Sequence, residues 1–321
     1  MSPLAIMCRA LVALTLSITI TSARADQGDC DRNALPRISF IQFSSPNLLM
    51  PSQPLTIKGK LSLPAQGDGH HGCADARGRK LPAVVILHGS SGVDARGDFY
   101  EAALNEAGIA TLQIDMWEAR GVTSAADRPK APILTYPDAF SALAYLATQP
   151  DIDAERIGVL GFSWGGAISL ETSELLYAGM FGGGRQFKAH VAHYPVCYAA
   201  NKQFPGLPPP AQFGSQYLIP TGAHVLIQLG SLDDYDNGAG PCRALAQSFN
   251  GGNRPLIEVV EYPNALHAFD RLMVPIVVTD PFGNQGSIFQ TGQAPTVRIG
   301  PDVPQAFAAR ERAVRFFKRN L

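Results

Sequence analysis

The chain has 321 residues, of which 46% are hydrophobic and 17% charged. Those proportions exclude a disordered chain and a coiled coil, and the length is enough to bury a substantial core. Twenty-six basic residues balance 27 acidic ones, a net charge of −1, so the composition offers no basic surface for nucleic acid.

The first 25 residues read as a cleaved export signal. Arg9 supplies a thin positive start, and Leu11 to Ile20 is an apolar run too short to span a bilayer. Ala23-Arg24-Ala25 places small residues where signal peptidase reads them, so cleavage is expected after Ala25. The expected product is a periplasmic or secreted protein without stable membrane insertion. Four cysteines remain after cleavage, and an even count in an oxidising compartment reads as two disulfides. Of three connectivities, Cys30–Cys73 with Cys197–Cys242 is favoured, because each pair lies within one half of the chain. His70-His71-Gly72-Cys73 lacks a second ligand cluster at zinc spacing, so no metal site is expected.

From there strands and helices alternate. Arg37 to Phe43 and Leu55 to Leu63 read as a β-hairpin, the second strand alternating apolar and polar residues. Ala83 to Leu87 is a continuous apolar run, as expected of a strand covered on both faces. A helix over Phe99 to Ala107 stops at Gly108, and a strand over Ile109 to Ile114 follows. Pro137 to Thr148 reads as a helix, Ile157 to Leu160 as a short buried strand, and Ala167 to Tyr177 as the next helix. Strands follow at Ala189 to His193, Val225 to Leu229 and Leu256 to Val260, with a short helix around Leu245 and Phe249. A last helix begins near Val303, with Asp302 and Gln305 spaced as a capping box. This alternation implies an α/β chain with a mostly parallel sheet and helices on both faces. No linker or repeat divides it, so residues 26–321 are expected to form one domain. Asn201 to Pro220 and Met273 to Gly300 fit no regular element, and loops of that length usually cover a site.

The chemistry concentrates at Gly161-Phe162-Ser163-Trp164-Gly165, a G-x-S-x-G between a buried strand and a helix. A nucleophile on so sharp a turn has strained backbone angles and needs small neighbours. Ser163 is the expected nucleophile. A serine hydroxyl needs a base, and His267, in a loop after the strand Leu256 to Val260, is the candidate. The acid should lie between them in the chain, and Gly230-Ser231-Leu232-Asp233-Asp234 follows a strand there. Asp233 is the first choice, Asp234 the second and Asp236 a remote third. The oxyanion donors expected are the backbone N–H groups of Trp164 and of Ser90, with Ser91 the next choice for the latter. His88, His190, His193 and His224 read as loop, core or rim residues.

The run Ile157 to Gly166, together with Gly230 to Asp234 and His267-Ala268-Phe269-Asp270, resembles the dienelactone hydrolase family of α/β-hydrolases. The resemblance implies the α/β-hydrolase fold, an eight-stranded sheet, and hydrolysis of ester or lactone bonds without a cofactor. The family's namesakes carry a cysteine nucleophile where this chain has Ser163, which favours a general carboxylesterase acting on a small-molecule ester. Tyr194 to Cys197 and Pro241-Cys242 resemble an exported subgroup, in which both cysteines follow adjacent strands. Trp117 and Tyr194 are candidate substrate contacts. Arg120 is either another or one half of a carboxylate pair that holds a loop. A peptidase or acyltransferase with the same triad, or an inactive binding protein on this scaffold, are the competing readings.

Overall fold

The computed structural model describes residues 35–65, 80–201, 219–252 and 254–321. The export signal, Cys30, His70, His71 and Cys73 lie outside the described residues.

Eight strands form the central sheet: β1 (Arg37–Ser45), β2 (Leu55–Leu63), β3 (Leu81–Leu87), β4 (Ala110–Asp115), β5 (Ile152–Phe162), β6 (Ala189–His193), β7 (His224–Gly230) and β8 (Ile257–Tyr262). Their order across the sheet is β1-β2-β4-β3-β5-β6-β7-β8. Strand β2 runs antiparallel to both neighbours, and every other pairing is parallel. Two further strands, β9 (Ile276–Thr279) and β10 (Thr296–Ile299), make a separate antiparallel ribbon.

The apolar run of β3 divides by parity. Val84 and Ile86 join one hydrophobic cluster, while Ala83, Val85 and Leu87 join the other. Successive side chains of a strand point to opposite faces, so a strand with a core on each side must be apolar throughout. One face is covered by α1 (Ala95–Glu106), through Tyr100 and Leu104, and by the last helix, through Ala309, Ala313 and Phe317. The other is covered by α2 (Tyr136–Ala147), through Phe140, Leu143 and Leu146.

The remaining helices are α3 (Trp164–Glu171), α4 (Leu175–Phe181), α5 (Tyr198–Asn201), α6 (Gly240–Phe249), the single turns α7 (Gly283–Gly286) and α8 (Ile288–Thr291), and α9 (Val303–Asn320). Asp302 caps α9 by accepting the Gln305 N–H at 3.1 Å. The reciprocal half of the expected box does not form, because the Gln305 amide instead donates to Pro263 O.

Two expectations about local structure are corrected. Ala167 to Tyr177 is not one helix. The Ser173 hydroxyl bonds back to Leu170 O at 2.6 Å, and the Leu175 and Thr221 N–H groups pair Ile219 O and Ser173 O. Glu174 is therefore extended and caps α4 by accepting the Leu176 N–H. A passing strand segment, invisible to helical periodicity, pulls the chain out of the helix. Met273 to Gly300 is also not irregular: it holds the β9–β10 ribbon, which Asp234 anchors through Arg298.

Candidate active site

The turn that carries Ser163 is set by three close backbone approaches. A Cβ on Gly161 would lie 1.9 Å from Gly165 O, one on Gly165 2.4 Å from Leu87 O, and one on Gly166 2.4 Å from His193 O. Those separations leave no room for a side chain. Ser163, between β5 and α3, has φ 50° and ψ −106°, a conformation L-residues avoid. It is held there by its N–H to His193 O at 3.0 Å, its carbonyl to Ala167 N–H at 2.8 Å, and the next turn's Gly165 N–H to His88 O at 3.1 Å. Neighbouring strands β3 and β6 thus clamp the turn and offset its strain.

His267 Nε2 lies 3.0 Å from Ser163 Oγ, and its Nδ1 lies 2.8 Å from Asp233 Oδ2. The other Asp233 oxygen accepts the Tyr235 N–H at 2.9 Å. His267 and Asp233 are each 2% exposed, so the pair is shielded while Ser163 is only partly buried. The other two carboxylates are engaged elsewhere. Asp234 makes two side-chain bonds to Arg298, at 2.7 and 2.8 Å, which hold its carboxyl below the usual range. Asp236 accepts the Cys197 and Tyr198 N–H groups, both at 2.8 Å.

Trp164 opens α3, so its N–H has no carbonyl one turn back within the helix. Ser90 lies in the tight turn closed by Gly92 N–H to Gly89 O, and its side of that turn lines the same cavity as Ser163 and Trp164. His88 serves the turn: its Nδ1 faces Gly89 O at 2.8 Å and its Nε2 accepts the Met116 N–H at 2.9 Å. Burial pushes its pKa down to about 4, so it is neutral at pH 7.

Ser163 opens into a cavity of about 550 Å³. The Ala125–Ile133 segment, α2, α3, Pro195-Val196 and the Thr279–Phe282 stretch wall it. Trp117 and Tyr194 do not line it. Trp117 packs edge-on behind Trp164, ring centroids 5.4 Å apart, and donates to Ser90 O. Tyr194 lies behind His267, ring centroids 4.7 Å apart, and its hydroxyl donates to Asp270 and accepts from Arg96. Burial and the Asp270 carboxylate push that hydroxyl's pKa up. Arg120 takes the loop-holding part, donating to Asp138 at 2.6 Å, while Asp138 also accepts the Ser45 hydroxyl.

Sequence reasoning missed three parts of this site. The Ala125–Ile133 wall had only its prolines to distinguish it. Tyr235, whose ring lies 4.3 Å from that of His267, was adjacent to the acid but unassigned. Asp270, bonded to Tyr100 and Tyr194, sat within the quoted His267–Asp270 run without a role. Cys197 and Cys242 form a disulfide with Cα atoms 5.0 Å apart. No helix of the described residues is long and apolar enough to cross a membrane.

A mostly parallel eight-stranded sheet with a strand–serine–helix turn is the α/β-hydrolase fold. The dienelactone hydrolase family model matches residues 69–276, and the chain belongs to that family. Dienelactone hydrolase from Anabaena variabilis is 17% identical, with TM-score 0.52, covering 89% of this chain and 99% of that one. Thermogutta terrifontis esterase 2 is 16% identical, with TM-score 0.55, covering 87% and 94%. The dienelactone hydrolase-like phosphotriesterase P91, from metagenomic libraries, is 17% identical, with TM-score 0.51, covering 88% and 98%. At these identities the likeness shows the fold alone. No curated protein matches the chain.

Proposed function

We propose that the chain is an exported serine hydrolase that cleaves carboxylic ester or lactone bonds through Ser163, His267 and Asp233. The observation that carries the reading is the hydrogen-bonded line Ser163–His267–Asp233 at the wall of the cavity. His267 Nε2 takes the Ser163 proton as Oγ attacks the carbonyl. Asp233 holds the Nδ1 proton in place and stabilises the imidazolium. The Trp164 and Ser90 N–H groups receive the oxyanion, an effect worth about 3–4 kcal/mol per donor where measured. As the intermediate collapses and the ester C–O bond breaks, the imidazolium gives its proton to the departing alcohol; water, deprotonated by the same base, then attacks the acyl-enzyme, and the proton returns to Ser163 Oγ as the acid leaves. No cofactor enters this scheme.

Export is supported by the leader-like first 25 residues and by the Cys197–Cys242 bridge. Residues 26–321 are the proposed mature domain. The test is fluorophosphonate labelling of the purified protein beside Ser163→Ala, followed by p-nitrophenyl esters and matched anilides. Labelling confined to the unsubstituted protein, with ester turnover, is expected. Faster anilide cleavage would indicate a peptidase, preferred transfer to alcohols an acyltransferase, and no labelling of folded protein an inactive scaffold.

A further inference from the structure

The cavity holds a carboxyl group that this chemistry does not use. Ala167 and Glu171 are four apart on α3, so they share one face of the helix, and both line the cavity together with Ser163, which precedes the helix. At 1.5 Å of rise per residue, Glu171 stands roughly 10 Å along the axis from Trp164, the residue after Ser163. Among the described residues no hydrogen bond or ion pair reaches its carboxyl. The surroundings are aromatic and negative. Tyr136 of α2 and Tyr177 of α4 line the cavity there, ring centroids 4.9 Å apart and nearly perpendicular. Glu174, the cap of α4, adds a second carboxylate, itself satisfied by the Leu176 and Ile219 N–H groups. Arg128 and Lys130 belong to the wall as well, but neither pairs with Glu171, and the Arg128 guanidinium donates to Ala125 O.

Glu171 is half-buried, so water reaches its carboxyl, and a ligand entering the cavity displaces that water. The group that gains most from a carboxylate flanked by aromatic rings is a cation. We propose that the far end of the cavity is a cation subsite, in which Glu171, Tyr136 and Tyr177 receive an ammonium group at the distal end of the ester substrate. The proposal rests on the esterase reading, and it makes Glu171 a specificity-determining residue. Burial, reinforced by Glu174, raises the Glu171 pKa to about 8. A bound cation favours the ionised carboxylate and draws the proton off.

The experiment compares esters that differ only in one terminal group: trimethylammonium, its neutral tert-butyl isostere, and hydroxyl. The group is carried on the acyl side in one series and on the alcohol side in another, at increasing length. The expected result is a kcat/KM at least tenfold higher for the ammonium ester than for its isostere in one series. Glu171→Gln is expected to bring that ratio near one, and because the paired esters share any general change in turnover, the ratio isolates the charge recognition. The ratio should also climb with pH and level off above about 8, because the triad's own titration cancels between paired esters. Equal turnover of the paired esters in both series, a hydroxyl ester that matches the cation, or a ratio that survives Glu171→Gln would each overturn the subsite. Loss of p-nitrophenyl acetate turnover and labelling in the unsubstituted enzyme would instead remove the esterase reading itself.

Discussion

Replacing Asp233 by Asn tests the assignment of the acid most sharply. The carboxylate accepts twice, from His267 Nδ1 at 2.8 Å and from the Tyr235 N–H at 2.9 Å. The Asn side chain has the same shape but only one acceptor oxygen. If that oxygen keeps the Tyr235 N–H, the amide NH₂ faces Nδ1, and the imidazole must carry its proton on Nε2. Nε2 then points a donor, not an acceptor, at Ser163 Oγ, 3.0 Å away. The base is lost although every atom stays close to its place. The comparable change in a serine protease lowers kcat about 10⁴-fold, which is roughly 5 kcal/mol of barrier. We expect a loss of that order in ester turnover and in the rate of fluorophosphonate labelling, with the melting temperature little changed. Asp234→Asn is the control, since Asp234 serves Arg298 and lies beside the triad without bonding to His267. It should keep turnover within tenfold. Retention of more than a tenth of the activity by Asp233→Asn, or an equal loss in Asp234→Asn, would refute the reasoning.

Gly165→Ala should destabilise the fold and disable the nucleophile together, because the new Cβ meets Leu87 O at 2.4 Å and His88 O at 2.7 Å, backbone that cannot rotate away. We expect at least the 1–3 kcal/mol typical of overpacking, read by denaturant unfolding, and labelling slower than the fraction folded explains. Reducing Cys197–Cys242, or Cys197→Ser with Cys242→Ser, opens a 45-residue separation, for which chain entropy gives about 4 kcal/mol; a melting temperature unmoved by reduction would contradict it. His190 and His193 are buried, and burial pushes each pKa down to about 4. Below their ordinary value of 6.5 the unfolded chain binds protons that the folded chain refuses, so stability should fall as pH drops from 6.5 toward 4. These two residues add a slope of at most about 2.7 kcal/mol per pH unit, and His88, pushed down likewise, up to about 1.4 more, measurable by chemical unfolding across that range.

Much of the fold was legible because its signals are local. An unbroken apolar run cannot be a half-exposed strand, and β3 proved to face a core on each side. The glycines around Ser163 announced a crowded turn, and the crowding is with backbone from three strands and the turn itself. Other features had no local signal. Nothing in Ala167 to Tyr177 announces that residues 219–221 will pair with Ser173 and Leu175 and break the helix. Trp117 and Tyr194 follow strands at the correct sheet edge, yet their rings turn behind Trp164 and His267 and not into the cavity.

The sequence by itself determined the order of the eight strands of the central sheet and the serine turn, and it offered a histidine and aspartates in the chain order an esterase triad would use. It could do so because hydrophobic period and glycine spacing are short-range properties that each segment carries alone. It left Asp233, Asp234 and Asp236 open, since neighbours in a loop share composition and differ only in what they meet. In the tertiary structure Asp234 bonds Arg298, Asp236 accepts the Cys197 and Tyr198 N–H groups, and Asp233 lies against His267. Tertiary structure also decided the cavity, whose walls come from segments more than 150 residues apart, from Ala125 to Phe282. Only a closed fold brings those segments together, so the Glu171 carboxyl inside, which pairs with none of the described residues, could be seen only there.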